Sequence, residues 1–172
     1  MHRPDLEAEL ERHHRAAYGW AMSCCGWDRT QADDVLQTSY LKVLEGRATF
    51  GGRSAFRTWL FGVIRRTALE YQRRNAIRRL LPLHVGPGSM EPPVSGTDPA
   101  TAVEQKETTR RLTAALARLS GRQRELLHLV FYEDMSISQA ADVLGIGVGT
   151  ARTHYERGKR RLRELLGGRG EL

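Results

Sequence analysis

Apolar residues recur along this chain at three- and four-residue steps, with no convincing strand-like alternation. Leu6, Leu10, His13, Ala17 and Trp20 trace the first such stripe, the spacing of an amphipathic helix. A second helix is expected to start at Asp28 or Thr30 and to carry Val35, Leu36, Tyr40, Val43 and Leu44. Asp33 and Asp34 fall in its first part, where acids suit the positive end of the helix dipole. Gly46, Gly51 and Gly52 then break the pattern. Ser54 is expected to open a third helix containing Phe56, Trp59, Leu60, Val63, Ile64 and Leu69, a stripe wide enough to face a core.

The second half repeats the theme with clearer punctuation. Leu112, Leu116 and Leu119 share a helical face, and Ser120-Gly-Arg-Gln123 has the form of a capping box before Leu126, Leu127, Leu129 and Val130. Ser136-Ile-Ser-Gln139 is a second capping box, opening a short helix with Ile137, Ala140, Ala141 and Leu144. Gly145-Ile-Gly147 supplies a tight turn. A long last helix follows, with Thr150 in its first turn, running through Tyr155 and Leu162 to about Leu166, where Gly167-Gly168 stop it. Helix, glycine turn and helix predict a helix-turn-helix. Ala140 and Ala141 are small where two helices must cross, and Ile146 and Val148 are expected to cap the core beside the turn. A plain amphipathic hairpin with a charged surface is the alternative.

Between the halves, Pro82 to Pro99 carries five prolines in 18 residues, interspersed with glycine, and has no period. Such a stretch reads as a linker, since long structureless connections inside one compact domain are unusual. The expected fold is all-α, with two small helical domains at 1–80 and 109–172 joined by a flexible linker over 81–108. Domains of this size bury only about 60% of their unfolded surface, so a partner protein is expected to hold them in place.

Charge sharpens this division. The 172 residues carry 27 Lys and Arg against 20 Asp and Glu, a net charge of +7. Residues 1–50 hold 6 basic and 8 acidic side chains, residues 51–80 hold 8 and 1, residues 81–109 hold 1 and 4, and residues 110–172 hold 12 and 7. Two basic blocks therefore flank a weakly acidic stretch, which points to a polyanionic partner. Arg57, Arg65, Arg66, Arg73, Arg74, Arg78 and Arg79 lie along the third helix and just beyond it, interleaved with Trp59, Phe61 and Tyr71. Arginine neutralises phosphate and aromatic rings stack on bases. The same residues also fit a solvated basic face over buried aromatics, and Trp59 stays open between core and contact. On the last helix Thr150, Arg152, Thr153, Glu156 and Arg157 are placed to face a major groove. Lys159, Arg160, Arg161 and Arg163 are placed to meet phosphate or solvent.

Other chemistries find little support. No apolar run approaches the roughly 18 residues that span a bilayer, and the acidic start from Met1 to Glu11 lacks the apolar core of a signal peptide. Cytoplasmic location and no direct membrane insertion are therefore expected. Cys24 and Cys25 are adjacent, which disfavours a disulfide, and no CxxC is present. They read as buried thiols, with a redox or metal role alongside His13 and His14 as the alternative. Asp33 and Asp34 diverge on a helix and lack a third acid for a metal. No catalytic constellation or glycine-rich phosphate loop is present, so no enzyme activity, cofactor or metal is expected.

Taken together, the blocks resemble an extracytoplasmic-function (group 4) sigma factor of the sigma-70 superfamily. Asp33-Asp34-Val-Leu-Gln37 with Tyr40-Leu41-Lys42-Val43-Leu44, then Phe56-Arg-Thr-Trp59-Leu60-Phe-Gly-Val-Ile64, are similar to the family's region 2. Leu119 to Leu126, Ser136 to Leu144 and Gly145-Ile-Gly-Val-Gly149-Thr150-Ala-Arg152 are similar to region 4. Arg66 and Glu70 stand where the family often has Asn and Asp, and Gly147 stands where Ser often caps. The resemblance implies that the protein binds core RNA polymerase and directs promoter recognition, DNA melting and initiation. It implies that Asp33, Asp34, Gln37, Tyr40 and Leu41 meet the polymerase. Arg57, Trp59, Arg65, Arg66, Glu70, Arg73 and Arg74 would meet the −10 element, and Thr150, Arg152, Thr153, Glu156, Arg157 and Arg160 the −35 element. It also implies an anti-sigma factor, often membrane-attached, that masks both domains. The competing reading is a helix-turn-helix regulator that binds duplex DNA without polymerase.

Overall fold

The computed structural model of the chain describes residues 3–80, 108 and 110–167. The predicted linker over 81–108 lies outside the described residues except for its last position, as do the side chains of Arg78 and Arg79 and the whole of Gly168. Helices α1 (Arg3–Cys24), α2 (Arg29–Leu44) and α3 (Phe56–Leu80) come first. After them come α4 over 110–117, α5 (Gly121–Leu127), a π-helical turn (His128–Tyr132), α6 (Ile137–Leu144) and α7 (Val148–Leu165). No strand occurs among the described residues. The chain divides into two compact units, Met1–Glu91 with Ala141–Gly145, and Pro92–Ala140 with Ile146–Leu172.

In the first unit α1, α2 and α3 pack on one another. The expected stripes face inward: Leu10, Ala17 and Trp20 of α1, Val35, Leu36 and Val43 of α2, and Leu60, Val63 and Ile64 of α3 are all buried. Trp20 is fully buried, its ring stacks nearly parallel on Phe61 at 5.8 Å, and its indole N–H donates to the Phe61 carbonyl at 3.0 Å. That bond meets the requirement that a buried indole nitrogen find an acceptor. Of the two expected starts for α2, Asp28 is the cap, with Oδ1 accepting from the Gln31 amide at 3.0 Å. Between α1 and α2 the chain reverses through two successive left-handed residues, Gly26 (φ 63°) and Trp27 (φ 69°). The start of α3 differs from expectation. The helix begins at Phe56, and the Ser54 hydroxyl donates to the adjacent Ala55 carbonyl at 3.3 Å instead of capping.

The second unit holds both capping boxes. Gln123 N–H donates to Ser120 Oγ (3.4 Å) and Ser120 N–H to Gln123 Oε1 (3.2 Å). The Ser136–Gln139 pair repeats this at 3.2 and 2.9 Å. On α4 the buried contribution comes from Ala115, with Leu119 just beyond, while Leu112 is exposed. The helix begun at Gly121 does not stay α-helical through Val130. Glu133 N–H reaches back five residues to the His128 carbonyl (3.2 Å), and Met135 N–H reaches back six to Leu129 (3.0 Å). This wider winding keeps Leu129 and Met135 buried and leaves Phe131 and Tyr132 exposed. His128 and Glu133, both nearly buried, approach within 3.4 Å across the same turn.

Gly145 (φ 63°) makes the turn between α6 and α7, and Gly147 caps α7 without a side-chain bond. Val148 is exposed and does not cap the core, while Ile146 is half-buried. On α7, Ala151 and Gly158 are buried, and the helix packs on α5. At Gly158 an added Cβ would stand only 3.2 Å from Gln123 Cβ. The helix ends at Leu165, with Gly167 (φ 88°) just beyond it.

Candidate nucleic-acid interface

Three polar faces emerge once the apolar stripes are turned inward. At about 100° per residue, Asp33, Asp34, Gln37, Tyr40 and Leu41 fall on one side of α2, opposite Ala32, Val35, Ser39 and Val43. Asp33, Asp34 and Gln37 are exposed, and Leu41 stands 51% exposed on the same face. Tyr40 is half-buried beside α1, its hydroxyl 3.2 Å from His14 Nδ1. Burial pushes Tyr40 up to about 12, so its hydroxyl keeps its proton. Asp34 Oδ2 accepts from the Tyr71 hydroxyl of α3 at 3.4 Å.

The basic residues of α3 separate into two groups. Trp59, Arg66, Glu70, Arg73 and Arg74 lie within about 100° of the helix circumference, and the last four are exposed. Arg66, Arg73 and Arg74 form no ion pair among the described residues. Arg57 and Arg65 lie on other sides of α3. The Arg57 guanidinium sits over the Phe61 ring at 5.4 Å, and Arg65 is buried. The structure therefore does not bring these two together with the exposed stripe. Trp59 is half-buried in an aromatic cluster, 5.3 Å from both Phe50 and Phe56, with His13 stacked on Phe56 at 6.1 Å. Trp59 therefore belongs in part to this cluster, and it lies at the end of the exposed stripe nearest the α2–α3 loop.

On α7, Thr150, Arg152, Thr153, Glu156, Arg157 and Arg160 are all exposed, on the side opposite Ala151 and Gly158. Arg152, Arg157 and Arg160 form no ion pair among the described residues. Glu156 pairs with Lys159 at 2.9 Å. The Thr153 hydroxyl donates to the Gly149 carbonyl at 3.0 Å, so it presents lone pairs and a methyl group outward. An arginine fork with polar and methyl neighbours matches the donor, acceptor and methyl pattern of base edges in a major groove.

Two side chains that the sequence did not single out adjoin these faces. Phe50 packs on Trp59 from the α2–α3 loop, where an aromatic residue among glycines was the available signal. Lys42 links α2 to α3 through Glu70, 28 positions away, and periodicity carries no signal for it. Cys24 and Cys25 are not joined in a disulfide, and burial, with Asp28 as a lesser cause, pushes Cys25 up to about 12. Among the described residues no group of three potential metal ligands lies together, and no helix is long and apolar enough to cross a membrane.

Comparison with known proteins matches two separate stretches of the chain. The family model for sigma-70 region 2 matches residues 10–78, and that for sigma-70 region 4 matches residues 109–162. The ECF RNA polymerase sigma factor SigM of Mycobacterium tuberculosis is 30% identical over 160 residues, covering 92% of this chain and 75% of the relative. SigX of Bacillus subtilis, also an ECF RNA polymerase sigma factor, is 29% identical over 140 residues, covering 81% and 72%. Among solved structures, the sigma factor RpoE of Bartonella quintana, in complex with the anti-sigma factor NepR, superposes with a TM-score of 0.75. It is 24% identical, and the match covers 94% of this chain and 96% of that one.

Proposed function

The chain belongs to the extracytoplasmic-function group of the sigma-70 family, and from that membership we propose how its two units divide promoter recognition. The protein is an RNA polymerase sigma factor: a non-catalytic initiation factor that binds core polymerase and directs it to promoters. Family membership decides against the regulator that acts without polymerase. The finer assignments are our own reading.

Residues 1–80 form the polymerase and −10 module, and 109–172 form the −35 module, with 81–108 connecting them. On α2, Asp33, Asp34, Gln37, Tyr40 and Leu41 dock on core polymerase. An exposed leucine on the same helix face as two acids suits a partner with an apolar contact beside basic groups. On α3, Trp59, Arg66, Arg73 and Arg74 hold the unwound −10 strand, the arginines on phosphate and the tryptophan edge against a base. Captured bases offset the stacking and pairing energy lost on strand separation. On α7, Arg152, Thr153, Glu156 and Arg157 read the −35 major groove, while Thr150 and Arg160 fix register on the backbone. The protein works in the cytoplasm. An anti-sigma factor holds it inactive, as NepR is bound to its own sigma partner.

The observation that carries this reading is the pair of exposed cationic faces on α3 and α7, one in each family-matched region, whose central arginines form no ion pair among the described residues. Transcription in vitro with core polymerase and a pool of promoter fragments tests it. The protein should join core and select a subset of fragments. If it binds fragments tightly without core, or joins core without selecting, the division of labour is wrong.

A further inference from the structure

Glu70 occupies an awkward place. It sits in the middle of the exposed stripe of α3, one turn after Arg66 and one turn before Arg73 and Arg74. A carboxylate there opposes a polyanion twice over. It repels phosphate directly, and it can pair with guanidinium groups four residues away on its own helix. Neither pairing forms among the described residues. Glu70 Oε2 instead accepts from Lys42 Nζ of α2 at 2.7 Å.

Lys42 is well held for this task. Its ammonium also donates to Thr67 Oγ1 at 3.1 Å, and the Thr67 hydroxyl hydrogen is committed to the Val63 carbonyl at 3.0 Å. Thr67 is buried, and the Lys42 side chain is only 18% exposed against 48% for Glu70. The cation stands in the last turn of α2, where the helix dipole favours positive charge. A partly shielded cation fixed by two acceptors outcompetes an exposed arginine on the same helix, whose pairing is weak and screened.

We propose that Lys42 is a positioning residue of the −10 face: by holding Glu70 against α2 it keeps the carboxylate out of the arginine stripe and leaves Arg66, Arg73 and Arg74 for DNA phosphates. Lys42 itself touches no DNA. The proposal rests on the reading of α3 as the −10 face and deepens it.

Holoenzyme assembled from the full chain and core polymerase is titrated with labelled fork-junction DNA carrying a single-stranded −10 segment, over a range of KCl. Lys42→Met keeps the aliphatic stem and removes the charge. It should weaken binding about tenfold, and the plot of log affinity against log salt should lose about 0.7 in slope for each phosphate contact withheld. Glu70→Gln should bind severalfold tighter than the parent chain, since it removes a negative charge from the stripe. Lys42→Met with Glu70→Gln should match Glu70→Gln alone, and Lys42→Arg should preserve parental binding. Core affinity and thermal unfolding, measured on the same variants, should be nearly unmoved. Persistence of the Lys42→Met defect in the double variant overturns the proposal, because Lys42 then acts through packing or contacts DNA. Unchanged binding of Lys42→Met, or loss of binding by Glu70→Gln, overturns it equally. Failure of the parental holoenzyme on the fork refutes instead the assignment of α3 to the −10 strand.

Discussion

Gly158→Ala isolates the contact that sets α7 on α5. Two opposed effects act there. Alanine in a helix interior is more favourable than glycine by about 1 kcal/mol. Against this, the new Cβ would meet Gln123 Cβ at 3.2 Å, Leu127 Cδ1 at 3.4 Å and Leu127 Cγ at 3.5 Å. The leucine can adjust its rotamer. Gln123 cannot easily withdraw, because its Cβ is fixed by the backbone of the first turn of α5. Its amide and side chain are both engaged in the capping box with Ser120. Relief therefore requires the helices to separate by a few tenths of an ångström, and overpacking of this kind costs roughly 1–3 kcal/mol. The net expectation is a loss of about 1 kcal/mol, which for a domain near 60 residues lowers its melting temperature by roughly 4–8 °C.

The distribution of tryptophan makes the assay specific. Trp20, Trp27 and Trp59 all precede residue 60, so tryptophan fluorescence follows the first unit alone. Far-ultraviolet circular dichroism follows helices in both. Gly158→Ala should shift a dichroism transition downward and leave the fluorescence transition in place. Gly158→Val, with a branched carbon in the same gap, should shift it further. A dichroism transition that rises in Gly158→Ala would show that the helices yield freely, and would refute the argument from the fixed Gln123 backbone.

Three further outcomes follow from the same geometry. Arg152→Ala with Arg157→Ala should lower discrimination between −35 variants by about 1–3 kcal/mol per lost base contact while core binding persists, and unchanged promoter preference in transcription would remove both residues from the reading face. Trp20→Phe should destabilise the first unit by about 2 kcal/mol, from the lost indole bond to Phe61 and the smaller ring; a urea midpoint equal to that of the parent would show that the bond contributes nothing. Cys25 is raised on folding from its ordinary value of 9.0 to about 12, so the folded chain keeps a proton that the unfolded chain loses. Its contribution to stability is therefore full below pH 9 and is lost between about 9 and 12, and Tyr40, raised from 10.0 to about 12, adds loss of the same sign. Denaturation midpoints should fall through that window, iodoacetamide at pH 8 should spare Cys25 in the native chain, and rapid labelling of both thiols would contradict the burial.

The helical period made the α2 and α7 faces legible in advance. Asp33, Gln37 and Leu41 follow one another at four-residue steps, as do Arg152 and Glu156, and the opposite steps are apolar or small. Local chemistry likewise marked Asp28 and both capping boxes, because each depends on residues three apart. The arginines of α3 were harder to sort. Counted as one run they look equivalent, but Arg57 and Arg65 each fall outside the arc of α3 that holds Arg66, Arg73 and Arg74. Ser54 has the composition of a cap without its position, since α3 starts at Phe56. The link from Lys42 to Glu70 depends on how α2 meets α3 and has no local signature. The winding at His128–Tyr132 was also hidden, because His-Leu-Val-Phe-Tyr reads as ordinary helix until the burial of Leu129 and Met135 is known.

That π-helical turn has a consequence for chain length. A π turn holds one residue more than an α turn of the same reach, so His128–Tyr132 behaves as an accommodated insertion. Deleting Val130 would let the backbone close again with four-residue bonds, and would rotate Phe131 and Tyr132 by about 100° relative to α5. Those two exposed rings therefore owe their outward position to a residue count as well as to their own contacts, Phe131 with Tyr155 and Tyr132 with His128. A length change of one at this site would redraw the aromatic surface of the second unit while leaving both capping boxes and the glycine turn intact.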